Sequence, residues 1–184
     1  MSTFLIILAE ILLCVLAADL LSGLFHWAED SYGKPEWPLI GATIIAPNLL
    51  HHDQPRAMLA SSWYRSADVQ ILMALWSSLA LLILGFLTWR VVLVLAVVVN
   101  ANELHKWAHR TKAENGRLIT WLQEHGILKS RAHHGRHHGG ARNSHYCTVT
   151  PWMNPLLDRS GCWRGFEAAI RWCSGVQPRT ERTQ

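Results

Sequence analysis

The sequence predicts an all-α integral membrane protein with about three transmembrane helices, a re-entrant or interfacial segment, and cytoplasmic amphipathic helices carrying a His-rich di-metal site. Three observations lead there. Hydrophobic residues make up 50% of the 184 and gather in two long runs. The 17 Lys and Arg fall almost wholly to one side of those runs, and the 11 histidines cluster at the ends of the runs or in the segments beyond them.

From Phe4 to Phe25 only Glu10, Asp19 and a few small polar residues interrupt the apolar run, and from Val69 to Val99 the only charge is Arg90. A hydrocarbon core takes roughly 20 helical residues to cross, so the first run makes one span and the second makes two. Thr88, Trp89 and Arg90, just after Gly85, supply the turn, which sets spans at 4–25, 68–87 and 90–109. The first run lacks a basic n-region and a small-residue cleavage site, so it reads as a retained span. Three spans put residues 26–67 and 110–184 on one side, with every Lys and Arg except Arg90. The positive-inside rule makes that side cytoplasmic and leaves the N-terminus outside. Trp27, Trp89 and Trp107 suit an interfacial belt, while Trp76 faces lipid or a neighbouring helix. The chain reads as one membrane-embedded domain over 1–176, with a polar tail at 177–184 expected to be disordered. Four cysteines without C-x-x-C spacing indicate neither a disulfide framework nor a zinc ribbon.

In chain order, Asp19, Ser22, His26 and Asp30 recur at three- and four-residue steps, giving the first span one polar face at its cytoplasmic end. Gly33 to Pro47 is punctuated by prolines around Leu39 to Ala46, a piece too short to cross the membrane. It delivers His51 and His52, which diverge by about 100° on a helix and so suit two different ions rather than one. The third span ends in Asn102, Glu103, His105 and His109, and the two histidines form an i,i+4 pair. A surface helix is expected over 118–128. Arg131 to His138 then places four imidazoles in six residues, with His133/His137 and His134/His138 both at i,i+4. Residues 155–174 read as one basic amphipathic helix.

Taken alone, His26, the His51/His52 pair and the four-histidine stretch are as well explained by interfacial or solvated positions, whereas His105 and His109, with Asn102 and Glu103 in the same turn, already favour ligands. The topology changes that, because it gathers nine of them at one membrane edge: His26, His51, His52, His105, His109, His133, His134, His137 and His138. Two ions with four or five imidazoles each would use them all. Asp19, Asp30 and Asn102 are the polar residues placed to support the ligands from behind. Imidazole suits iron, zinc and copper alike. A site at a membrane edge is positioned to act on lipid, where the difficult reaction is removal of hydrogen from an unactivated alkyl chain. Iron with dioxygen achieves that and zinc does not, with the protein supplying binding, orientation and exclusion of water.

The sequence resembles the lipid desaturase family that includes plasmanylethanolamine desaturase, its bacterial light-response relative, and the plant enzyme that makes a trans-3 double bond in phosphatidylglycerol. The matching residues are Asp19, Ser22, Gly23, His26, Trp27, Asp30 and Gly33, then Pro38, Gly41, His51, His52 and Pro55. They continue with Asn102, His105, Lys106, Trp107, His109, Leu122, Gln123, the stretch from His133 to His138, and Tyr146, Cys147, Trp152 and Asn154. The resemblance implies a multi-pass di-iron desaturase that uses two Fe ions, dioxygen as co-substrate and two electrons from an external donor. It also implies a phospholipid substrate oxidised near the glycerol, at C1 and C2 of an sn-1 alkyl ether or at C3 and C4 of an acyl chain. The vinyl ether product is the favoured reading.

His125 and His145 depart from the family pattern and are left out of the site. The segment Ser61 to Gln70 lacks the acidic and Asn-rich character of the family, a difference that bears on substrate contacts. A cytochrome b5 or ferredoxin type donor fits a basic cytoplasmic face containing Lys129, Arg131, Arg136 and Arg142, and anionic headgroups fit it equally. A hydroxylase with the same site remains open. A metal-binding sensor or transporter would carry histidines along its spans, whereas these are confined to one edge. No nucleic-acid motif is present.

Overall fold

A computed structural model describes residues 2–139 and 141–179; the rest of the expected tail, 180–184, lies outside the described residues. Helix α1, Thr3–Tyr32, is built from the first apolar run and stops where the Gly33 N–H turns back to the carbonyls of Ala28 and Glu29. Its buried residues include Asp19, Ser22, Gly23, His26, Trp27 and Asp30, one stripe at helical spacing. After a Pro-rich turn, a single π-helical turn, Gly41–Ile45, leads into α2, Ala46–Asp53, which carries His51 and His52. A 3₁₀ turn, Ala57–Ala60, then precedes α3, Trp63–Ile83.

Helix α3 starts and ends about five residues before the expected 68–87. The Ser62 side chain caps it by accepting the Arg65 N–H, and Gly85 at φ 76° ends it. Thr88 caps α4, Trp89–Val99, at the expected turn. Helix α5, Ala101–His109, follows after a bend of 41°. The straight third span expected over 90–109 is therefore two helices bent against each other. At the break, Asn100 donates from Nδ2 to Ala96 O (2.9 Å) and accepts the Trp63 indole N–H (3.0 Å), which pulls the backbone off the helical ladder. Among the described residues two helices, α1 and α3, are each long and apolar enough to cross a membrane, and α4 with α5 makes a third only if the bent pair is counted as one.

Two other expectations shift. Helix α6, Lys112–Glu124, is interrupted by Gly116 at φ 70° and ψ −176°, so the piece expected over 118–128 starts close to its expected place, while a first turn closed by the reciprocal capping box of Thr111 and Glu114 precedes it and Gly126 at φ 67° ends it early. The single helix expected over 155–174 is two, α8 at Met153–Arg159 and α9 at Cys162–Ser174, divided at Gly161 with φ 69°. Between α6 and α8 lies α7, Arg131–His138, capped by Ser130.

The main apolar cluster lies at the site end of the molecule. It joins Trp27, Tyr146, Cys147, Leu157 and Trp163, so Trp27, expected in an interfacial belt, is instead a core residue at 6% exposure. Trp76 points outward at 65% exposure, as the outer surfaces of α1 and α3 do generally. Helix α1 packs chiefly on α4, and Glu10 of α1 pairs with Arg90 of α4. That pair lies about 24 Å along α1 from His26 at 1.5 Å per residue, so the ion pair and the histidines occupy opposite ends of the bundle. At the histidine end the Arg179 backbone N–H donates to Ser31 O (2.7 Å), holding the end of the described chain against α1.

Candidate metal centre

Four helix ends deliver the site. α1 brings His26 and Asp30, α2 brings His51 and His52, α5 brings His105 and His109, and α7 brings His134, His137 and His138. They form two groups in which one ligand atom from each residue lies within 4.8 Å of the others: His51, His105, His109, His134 and His138; and His26, Asp30, His52 and His137. His51 and His52 fall in different groups, as their angular divergence requires, and His137 and His138 divide in the same way. The groups abut, with ring centroids 5.3 Å apart for His26 and His105 and 5.0 Å for His52 and His138.

Eight of the nine expected histidines thus converge, and His133 does not. On α7 the residues at 137, 134 and 138 span an arc of about 100°, and 133 lies beyond 137 at its edge, about 140° from 138. Its ring lies against His145 (5.4 Å between centroids), outside both groups. The carboxylate of Asp30, expected behind the ligands, stands among them: Oδ1 is 3.0 Å from His52 Nε2, and Oδ2 is 3.3 Å from His137 Nε2 and 3.6 Å from His26 Nε2.

The residues can be tested against a bound cation through their protons. His26 Nδ1 is 3.0 Å from Tyr146 O and His137 Nδ1 is 2.7 Å from Ser144 O. A carbonyl only accepts, so each Nδ1 carries the proton and each Nε2 presents a lone pair. Those two Nε2 atoms and Asp30 Oδ2 are buried without a hydrogen-bond partner. Lone pairs facing a carboxylate oxygen in a dry cavity repel unless a cation lies between them. The other group makes the same demand. His134 Nε2 is 2.7 Å from His105 Nε2, 2.9 Å from His109 Nε2 and 3.0 Å from His138 Nε2. One neutral nitrogen cannot satisfy three others with one proton. Burial also holds the α7 rings below the ordinary imidazole value, His138 down to about 3 and His134 and His137 in the same direction. They are neutral, the form that binds a metal.

The loop over 144–150 braces the second group. Asp19 accepts from Val149 N (2.8 Å), Thr150 N (3.1 Å) and Thr150 Oγ1 (2.6 Å), while Ser22 Oγ accepts from Thr148 N (3.1 Å). Asn154 accepts the Cys147 N–H and donates to its carbonyl, both at 2.9 Å. Lys129 donates to Cys147 O (2.6 Å) and His145 O (3.0 Å), and burial pushes its ammonium down to about 8. Lys129 is therefore an internal clamp at 1% exposure rather than part of a docking face. Gly23 lets the loop lie this close, since a Cβ there would stand 2.5 Å from Cys147 Sγ. Asp19 thus acts on the ligands through a loop, and Asn102 acts at one remove, donating to Ser66 O (2.6 Å) to tie α5 to α3.

A cleft of about 680 Å³ runs between α2, the start of α3 and α5, and has His51 and His105 in its wall. Residues 42–50 and Met58 contribute much of its apolar lining, and Glu29, Arg65 and Asp68 contribute charge. The segment Ser61 to Gln70, singled out in the sequence, supplies one side of it.

Residues 15–181 match the lipid desaturase domain. The chain belongs to the lipid desaturase family. Among relatives, it is 31% identical over 175 residues to a probable fatty acid desaturase of Acanthamoeba polyphaga mimivirus, covering 94% of this chain and 86% of that protein. It is 29% identical to mouse plasmanylethanolamine desaturase 1 (90% of this chain, 65% of the relative) and 34% identical to the chloroplastic fatty acid desaturase 4 of Arabidopsis thaliana (89% and 51%). The chain thus spans about two thirds and half, respectively, of those last two. No solved structure matches.

For this lipid desaturase family member, sequence reasoning missed the direct place of Asp30 and the internal role of Lys129. The first was legible in the i,i+4 spacing of His26 and Asp30. The second had no local signal, since its partners are carbonyls 16 and 18 residues away. His125 and His145, left out of the site, are in neither group.

Proposed function

We propose that this lipid desaturase holds two iron ions and uses dioxygen to introduce a double bond near the glycerol end of a phospholipid chain, with vinyl ether formation from an sn-1 alkyl ether as the favoured product. The observation that carries the reading is the pair of abutting groups of buried, partnerless ligand atoms. His51, His105, His109, His134 and His138 hold one ion; His26, Asp30, His52 and His137 hold the other. Bound iron supplies the redox chemistry with dioxygen that removal of hydrogen from an unactivated carbon needs. Overall, two vicinal hydrogens leave the chain, and dioxygen becomes two waters with two electrons and two protons from an external donor such as a cytochrome b5 or ferredoxin.

The protein's own residues do the rest. Tyr146 O and Ser144 O keep the protons of His26 and His137 on Nδ1, and Asp30 offsets ionic charge where three imidazoles alone would not. The cleft brings a chain against His51 and His105 with apolar lining that excludes water. Ligands at helix ends, not mid-bundle, favour oxidation of carbons close to the headgroup, and the basic excess beyond α5 favours a cytoplasmic position for that end.

The named relatives divide between plasmanylethanolamine and fatty acid desaturases, so acyl-chain desaturation is the second reading. Lipid mass spectrometry of cells with and without the gene separates them. A vinyl ether product loses two hydrogens and releases a long-chain aldehyde in mild acid; an acyl product loses two hydrogens and releases none; hydroxylation adds an oxygen. Ether lipids unchanged in a host that makes them would overturn the vinyl ether assignment.

A further inference from the structure

The loop after α7 runs along α1, and its direction matters. Tyr146 O meets His26, Thr148 N meets Ser22 Oγ, and Val149 N and Thr150 N meet Asp19. Residues 146–150 therefore run antiparallel to α1 from residue 26 back to residue 19, about 10 Å away from the histidines and into the apolar run. They end beside Asp19, about 9 Å inside Phe25, where that run stops. Irregular backbone at bilayer depth has no water to bond with and persists only where the protein satisfies it. From Cys147 to Trp152 each backbone N–H has such a partner: Cys147 on Asn154, Thr148 on Ser22, Val149 and Thr150 on Asp19, and Trp152 on Thr150 Oγ1 (3.2 Å), while Pro151 has none to place. The Val149 carbonyl accepts the Lys129 N–H (3.0 Å).

What this stretch shows to the outside is apolar. Trp152 is 45% exposed and Leu156 63%, and Pro151, Met153 and Pro155 are half-buried around them. Asn154, the one polar residue between Pro151 and Leu157, is buried with its amide turned onto Cys147. Satisfied backbone on the inside and apolar side chains on the outside are what hydrocarbon requires, and a Trp at the tip suits the membrane interface. We propose that residues 146–156 form a re-entrant wedge that enters the bilayer beside α1, with Trp152 and Leu156 against lipid acyl chains and Asp19 closing the tip from within the protein. A carboxylate in an apolar run is costly without a partner, and the wedge is the partner of Asp19. None of these residues lines the cleft, so this is a second lipid contact on another side of the centre. It also couples the bilayer to the ligands, because Ser144 and Tyr146, at the root of the wedge, hold the ring protons of His137 and His26. The inference rests on α1 crossing the bilayer and not on the proposed reaction.

Photolabelling tests this on the wild-type chain without turnover. The full chain, purified with its metal, is placed in bilayer discs containing a phosphatidylcholine with a diazirine in its acyl chain, irradiated, and its adducts are mapped by mass spectrometry. Trp152 and Leu156 should be labelled as strongly as Trp76 on the outer surface of α3. Trp152→Glu should cut labelling of Leu156 by about tenfold, the effect of one charge near the edge of the hydrocarbon. It should also alter the spectroscopic signature of the ion held with His26 and His137. Trp152→Leu, which keeps an apolar tip, should preserve both the labelling and the signature. Trp152 and Leu156 free of adducts while Trp76 is labelled overturns the wedge, and this comparison decides even if Trp152→Glu does not accumulate. Protection of both residues from the acyl-chain label and from hydroxyl radicals in the water also overturns it, since a second copy of the chain would then cover this face. So does Leu156 labelling that is unchanged in Trp152→Glu.

Discussion

Both groups draw on three helices, but the five-imidazole group carries no residue of α1 and is braced mainly by its own rings, whereas the group around Asp30 takes two of its four residues from α1 and is braced from behind. In the first, His51, His105, His109, His134 and His138 bring no charge of their own, and His134 touches three other ring nitrogens within 3.0 Å. In the second, one carboxylate is shared by His26, His52 and His137, and two backbone carbonyls fix ring protons. The difference teaches that the two groups should not be equivalent as sites for the proposed ions. A carboxylate favours the harder, more highly charged ion, and imidazoles alone favour the lower charge state.

Asp30→Asn should break the comparison most severely. It removes the charge from the second group and substitutes an amide that would turn a donor toward one of the lone pairs. Metal content should fall from about two ions per chain to about one, and activity by more than about 100-fold, beyond the range seen for residues behind ligands. A variant that keeps both ions and turns over would remove the asymmetry. His134→Ala is expected to come next. Four imidazoles remain in its group, so an ion can still bind, but the ring linking α5 to α7 is gone. We expect activity to fall by about 100-fold, with metal lost more readily to a chelator than in the wild type. Equal chelator resistance would show that the ring packs without ligating.

A smaller effect should come through the brace. Asp19→Asn leaves every ligand in place and weakens three hydrogen bonds to the 149–150 backbone and Thr150. About a tenfold loss of activity is expected, with the spectroscopic signature of one ion altered and that of the other unchanged. A change in both signatures alike would mean that the loop supports the whole centre, and the two groups would no longer be separately braced.

The helical class and the meeting of histidines were readable in the sequence because both depend on periodicity. Apolar runs set α1 and α3, and the steps from Asp19 to Asp30 set the buried stripe. What was not readable depends on contacts across the chain. The bend at Asn100 arises where its amide meets Ala96 and Trp63, and a span counted by length alone runs straight through it. Trp27 looked like a belt residue because its depth matched, yet its ring faces Trp163 at 5.9 Å and lies in the core. Lys129 counted as a surface cation because charged residues are normally exposed. Its burial follows from a loop whose carbonyls return to it after more than fifteen residues.

His133 is the finest test, because spacing and geometry give it opposite roles. Its i,i+4 relation to His137 makes it a ligand on paper, and an account based on four equivalent histidines in α7 expects His133→Ala and His137→Ala to be equally damaging. In the structure His137 Nε2 faces Asp30 at 3.3 Å, and His133 packs on His145, whose Nδ1 lies 3.1 Å from Asp158 Oδ2. His133→Ala should therefore keep both ions and near wild-type activity, while His137→Ala should lose the second group. Loss of one ion in His133→Ala would mean that α7 rotates when metal binds, carrying His133 inward, and the division into five imidazoles and three with a carboxylate would have to be redrawn.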